Sequence, residues 1–173
     1  MIERFSTMGV QLLCTLVIAQ YLAPTEFGLI SMMSIFMAFS TILVDAGFGQ
    51  ALIREKNVTS IDYSSVFYFN LVIGVVVYGV FFILAPFIAD FYNEQRLCLL
   101  VRISFFAIVI QSFSVVQQAQ LYKSVNFSRV SKVSLISVII SGALGVLVAI
   151  IYQNVWALVV QTMSFALFRV ILL

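Results

Sequence analysis

Residues 27–49 read FGLISMMSIFMAFSTILVDAGFG, a run of about 23 mostly apolar residues and therefore long enough to cross a bilayer as one helix. At about 100° per residue, Ser31, Ser34, Ala38, Thr41 and Asp45 fall on one narrow stripe, while Met33, Phe36, Phe39 and Leu43 point elsewhere. The helix thus has a small, polar face. An ionised carboxylate facing lipid is costly, so Asp45 is expected to look into a bundle or a wet cavity, or to lie close enough to the interface to reach water. Neighbouring spans must supply the other walls of such a cavity.

Working outward, the rest of the chain has the same character. Of 173 residues, 63% are hydrophobic and 9% charged, none is histidine, and the charges cluster between apolar runs as they do in loops between membrane helices. That distribution defines a polytopic membrane protein. A barrel would need alternating strands of about ten residues, and none is visible. The expected fold is all-α, a membrane helix bundle of about six transmembrane spans. The net charge of +2 is too small to argue for a nucleic-acid partner, and none is expected. Cys14 and Cys98 fall mid-span and near a helix end, at different depths, so no disulfide is expected between them.

The first span is expected over residues 5–22, and Ala23-Pro24-Thr25-Glu26 separates it from the second by so short a link that the two should form an antiparallel hairpin. Beyond the polar break of Arg54, Glu55 and Lys56, a third span covers 63–89, with Asn70 early, Gly74 and Gly79 in the middle and Pro86 late. The fourth, 97–121, is polar on two sides: Ser104, Gln111, Ser114 and Gln118 share one face, and Arg102 and Gln120 lie on the opposite one. In the fifth, 130–152, Ser137, Ser141, Gly145 and Ala149 recur at every fourth position, a ridge on which another helix packs closely. Trp156 is placed as an interfacial anchor for the sixth, which runs to residue 173 with Gln161, Ser164 and Arg169 inside it. If the spans alternate, Arg4, Arg54, Lys56, Lys123, Arg129 and Lys132 share one side. The positive-inside bias makes that side, and the amino terminus, cytoplasmic.

No constellation supports catalysis. Without histidine the usual zinc sets are missing, no serine has a base partner, and no glycine loop is shaped for phosphate, so neither metal nor cofactor is expected. The chain is read as non-enzymatic. The substrate-path candidates are the intramembrane polar residues Asp45, Asn70, Arg102, Gln111, Gln118 and Arg169. Asp45 either caps its helix end or pairs with Arg54 or Lys56, or else it takes part in coupling. Arg102 either snorkels to the outer interface beside Asp90 or Glu94, or forms a cationic wall for an anion. Arg169, about 20 Å beyond Trp156, either reaches the inner interface or, like Arg102, serves an anionic substrate. The glutamines of the fourth span are interhelical glue or ligands.

Four ordered pieces carry a resemblance: Tyr21-Leu22-Ala23-Pro24-Thr25-Glu26-Phe27-Gly28, Asp45-Ala46-Gly47-Phe48-Gly49-Gln50-Ala51-Leu52-Ile53, Ala85-Pro86-Phe87-Ile88-Ala89-Asp90-Phe91-Tyr92 and Val155-Trp156-Ala157-Leu158-Val159. Together they resemble the amino-terminal half of the polysaccharide-biosynthesis oligosaccharide flippases, within the multidrug/oligosaccharidyl-lipid/polysaccharide exporter superfamily. That resemblance implies one lobe of a two-lobe transporter. It also implies a polyprenyl-pyrophosphate-linked glycan as cargo, moved between leaflets of the bacterial inner membrane, with membrane lipid and a C-terminal lobe, missing from this chain, as partners. Gln20 stands where many relatives carry an arginine, which removes one cation from that position. The alternatives are a drug or organic-cation antiporter of the same superfamily, a membrane-embedded glycan polymerase or ligase, and a non-transporting membrane fragment.

Overall fold

The computed structural model describes residues 2–45, 52, 59–123 and 127–173, and among these every regular element is an α-helix. In chain order they are α1 (Ile2–Ala19), α2 (Pro24–Asp45), α3 (Ser60–Phe91), α4 (Arg96–Ser104), α5 (Phe106–Ser112), α6 (Ser114–Lys123), α7 (Phe127–Tyr152) and α8 (Trp156–Leu172). The three short helices α4 to α6 make one apolar rod, Arg96–Lys123, which tightens at Phe105 and Phe113 without leaving right-handed helical geometry. This rod and the segments Pro24–Val44, Ile61–Phe91 and Arg129–Tyr152 are long and apolar enough to cross a membrane. With 18 and 17 residues, α1 and α8 are at the short limit of a span.

Helix boundaries follow local chemistry. The second helix begins at Pro24 rather than after Glu26 as expected, because a proline lacks only an N–H that the first turn leaves unused. Glu26 then lies in that first turn, where a carboxylate complements the helix dipole. Thr59 and Asp62 form a capping box at the start of α3: the Thr59 N–H donates to Asp62 Oδ2 at 2.8 Å, and the Asp62 N–H to Thr59 Oγ1 at 3.3 Å. At its far end Asn93 takes a left-handed φ of 53°, and the Glu94 N–H reaches back to the Ala89 carbonyl at 2.9 Å, closing the helix.

The expected pairing of the first two helices is not what forms. Despite the short link, α1 packs along α7, and α2 packs along α3 and the α4–α5 part of the rod. The reason is the small-residue ridge of α7, on which Ser137, Ser141, Gly145 and Ala149 are all buried. Gly142 receives Cys14 of α1, and Gly145 receives both Ile18 of α1 and Gln161 of α8, so α7 holds a helix on either flank. Close backbone approach is worth more to α1 there than contact with the bulkier α2.

Two helix groups result. A small apolar cluster of Ile18, Leu22, Ala149, Ala157 and Leu158 unites α1, α7 and α8. A larger one centred on Met33, Phe81, Leu97, Leu100, Val101 and Phe105 unites α2, α3, α4 and α5, with the Phe81 and Phe105 ring centroids 4.6 Å apart. Val155, Val159 and Met163 of α8 join this second cluster, so α8 bridges the groups. The outer surface is apolar too: Met8, Leu12, Ile35, Ile42, Val72, Ile83 and Ile151 are among many large exposed hydrophobics. Serines and an asparagine sit inside. That inversion suits a protein whose solvent is hydrocarbon.

At one end Glu26 ties three helices together. Its Oε2 accepts the Val155 N–H at 2.9 Å, where α8 begins, and its Oε1 accepts from Arg96 Nη1 at 3.2 Å, where α4 begins. The ends of α6 and α8 meet at the opposite end of the bundle, so successive rods run up and down.

Candidate functional site

Between the two helix groups lies a cleft of about 260 Å³. From the α2–α5 side it is walled by Met37, Ala38, Thr41, Ala107, Ile108 and Gln111, and from the other by Gln11, Val138, Ser141, Gln161, Thr162 and Phe165. Helical spacing explains the first wall: Ala38 and Thr41 belong to the stripe seen in the sequence, while Met33 and Val44 turn into the core. Ser31 and Ser34, on the same stripe, are exposed above the cleft and donate to the Phe27 and Ser31 carbonyls at 2.9 and 2.7 Å.

Among the described residues, Gln11, Thr41, Gln111, Ser141, Gln161 and Thr162 supply amides and hydroxyls to the cleft, Phe165 supplies an aromatic face, and none of the lining side chains is charged. The Thr41 and Ser141 hydroxyls donate to carbonyls of their own helices, at 2.8 and 3.2 Å, which leaves their oxygens able to accept.

A hydrogen-bonded chain leaves this cleft toward the basic end of the bundle. Arg169 Nη2 donates to Gln118 Oε1 at 2.9 Å, Gln118 Nε2 donates to Ser114 Oγ at 3.1 Å, and the Ser114 hydroxyl donates to the Gln111 carbonyl at 2.8 Å. The Arg169 guanidinium also lies 5.7 Å from the centroid of the Phe165 ring, one turn back along α8. Three sequence candidates, Gln111, Gln118 and Arg169, are therefore brought together. Gln118 serves as interhelical glue, and Gln111 faces the cleft.

The other candidates are elsewhere. Arg102 is separated from the cleft: it stacks at 4.4 Å over the Phe82 ring in a groove with Tyr78, Leu99, Ile103, Phe106 and Met163, with neither Asp90 nor Glu94 beside it. Asn70 is fully buried in α3, and neither its amide nitrogen nor its oxygen has a hydrogen-bond partner among the described residues. Asp45 closes α2 one turn beyond Thr41, but its side chain, like Arg54 and Lys56, lies outside the described residues. The candidate list omitted Gln11, Gln161 and Thr162. The signal for the two glutamines was present, because an amide inside an apolar helix needs a partner, but only the packing on α7 puts them on one cleft.

Taken together, the apolar exterior, the membrane-length helices and a polar cleft between two helix groups define a multi-pass α-helical membrane protein. The chain belongs to the polysaccharide biosynthesis protein family, matching it over residues 17–173, in agreement with the resemblance drawn from the four sequence pieces. It is 28% identical over 138 residues to an uncharacterized membrane protein in the cps region of Klebsiella pneumoniae, covering 80% of this chain and 28% of that one. To the teichuronic acid biosynthesis protein TuaB of Bacillus subtilis it is 32% identical over 103 residues, 60% of this chain and 21% of the relative. To the succinoglycan biosynthesis transport protein ExoT of Rhizobium meliloti it is 26% identical over 168 residues, 97% of this chain and 34% of the relative. The chain thus spans about a third or less of the length of these relatives. No solved structure matches it.

Proposed function

We propose that this chain is one lobe of a flippase that moves a polyprenyl-pyrophosphate-linked oligosaccharide across the bacterial inner membrane, with its amino terminus and its basic helix ends in the cytoplasm. The observation that carries this reading is the cleft, whose described lining offers three glutamines, hydroxyls and one aromatic ring. Sugar hydroxyls both donate and accept, so amides and hydroxyls match them, and an aromatic face covers the apolar side of a sugar ring. Arg169, at the basic end, offers a charge to the pyrophosphate, and the prenyl tail stays in lipid. A second helix bundle facing this one closes the cavity, and rocking of the two exposes it to either side. The lobe binds and moves its cargo without bond chemistry.

The test is complementation of an export-deficient strain by the gene in its full natural length. Gln111→Leu and Thr41→Val should each lower surface glycan severalfold at unchanged membrane abundance, and the pair more than either. Normal export by the double variant would overturn the reading. The cation-antiporter alternative calls for acidic side chains in the cavity, and the described lining has none. It predicts a change in drug susceptibility instead of surface glycan. Restoration of export by residues 1–173 alone would replace the two-lobe reading with a homodimer.

A further inference from the structure

Arg102 presents a problem that the cleft does not solve. Its Nε is buried without a hydrogen-bond acceptor, and no carboxylate among the described residues comes within ion-pairing distance. The ring of Phe82, 4.4 Å from the guanidinium carbon, offers a π-face but no counter-charge. Around it lies a groove of about 410 Å³, whose lining apart from the arginine is apolar but for the Tyr78 hydroxyl, and whose Phe82, Leu99 and Phe106 are exposed on the outer surface of the bundle. A cation in such surroundings needs an anion brought from outside the protein.

Depth narrows what that anion is. Arg102 is six residues into the rod that starts at Arg96, or about 9 Å along the axis, and Met163 across the groove is about 10 Å beyond Trp156. Both distances are measured from the helix ends that Glu26 ties together. An arginine at that depth reaches up to the phosphate level while its stem stays in hydrocarbon. A free anion would have to enter an apolar groove to reach it. A lipid brings its phosphate and its chain together.

We propose that this groove binds an anionic phospholipid, its phosphate held by the Arg102 guanidinium and one acyl chain lying along Tyr78, Phe82 and Phe106. Because Met163 belongs to α8 and the other walls to α3, α4 and α5, the lipid braces the bridging helix against the larger helix group. The site is distinct from the sugar-facing cleft and does not depend on what passes through it.

Native mass spectrometry of the purified protein in neutral detergent tests this with phosphatidylglycerol and phosphatidylethanolamine as probes. Phosphatidylglycerol should be retained about tenfold more than phosphatidylethanolamine, as one charge-assisted contact would give. Arg102→Gln should abolish the preference, Arg102→Lys should keep part of it, and Arg96→Gln, an exposed arginine at the same end, should leave it unchanged. Equal retention of the two lipids, or an equal loss in Arg96→Gln, overturns the proposal. A second arm needs no variant. Glycerol phosphate, which has the anion but no chains, should fail to displace bound phosphatidylglycerol, and displacement at equal concentration would show a free-anion site and overturn the lipid reading.

Discussion

Glu26 shows how much one partly buried carboxylate organises. It accepts a backbone N–H from Val155 and a guanidinium N–H from Arg96, and its side chain is only 12% exposed against 67% for Arg96. The two contacts are unequal. A hydrogen bond to a charged group is worth about 1.5–3 kcal/mol, whereas an ion pair with an exposed arginine is worth about 0–1 kcal/mol. Asn154 Oδ1 also accepts the Val155 N–H, at 2.8 Å, and tempers the loss. Glu26→Ala is therefore expected to destabilise the protein by about 1–2 kcal/mol, and Arg96→Ala by under about 1 kcal/mol. Thermal melts in detergent check this, and equal effects would show the ion pair to be the stronger contact. The same scale separates the arginines: Arg102 and Arg169 are alike in sequence, each amid apolar residues, yet one meets an aromatic groove and the other a glutamine.

Among elements, α7 decides the arrangement. A Cβ added at Gly145 would lie 2.9 Å from Gln161 Cβ and 3.3 Å from Ile18 Cδ1, so it presses on an atom held next to the α8 backbone. Overpacking of this kind costs about 1–3 kcal/mol. Gly79 of α3 has nothing within 4 Å of the same position, and alanine there gains helix propensity. Gly145→Ala should therefore lower the melting temperature and Gly79→Ala should leave it level or raise it. If both behave alike, the close approach of α7 and α8 does not govern stability. Among the buried serines, Ser40, Ser112 and Ser141 donate to carbonyls of their own helices, at 2.7, 2.7 and 3.2 Å, whereas the Ser104 and Ser137 hydroxyls have no partner among the described residues.

At the scale of the molecule, the order of the helices sets its two ends apart. Up-and-down order puts Glu94 at the end held by Glu26 and places Arg129 at the other, where Arg169 meets Gln118. With Cys14 and Cys98 replaced by alanine, Glu94→Cys should label from outside intact cells with a membrane-impermeant maleimide, and Arg129→Cys should label only after lysis. The reverse result would invert the proposed topology. The cleft between the groups has polar side chains on both walls.

Much of this protein was legible in one dimension. Apolar run length determined that helices cross a membrane, because a bilayer sets a minimum length and hydrocarbon forbids unpaired backbone. Period and residue size determined the ridge at Ser137, Ser141, Gly145 and Ala149, since small side chains at every fourth position admit close approach whatever the partner. What that partner would be was not legible: chain proximity pointed to α1 with α2, and packing gave α1 to α7. Nor could spacing tell that Gln11, Gln111 and Gln161 share a cleft while Arg102 faces another groove, because helix periodicity fixes the angle of a residue about its own axis only. Which neighbour that angle meets depends on how the helices pack, and only the tertiary structure decided it.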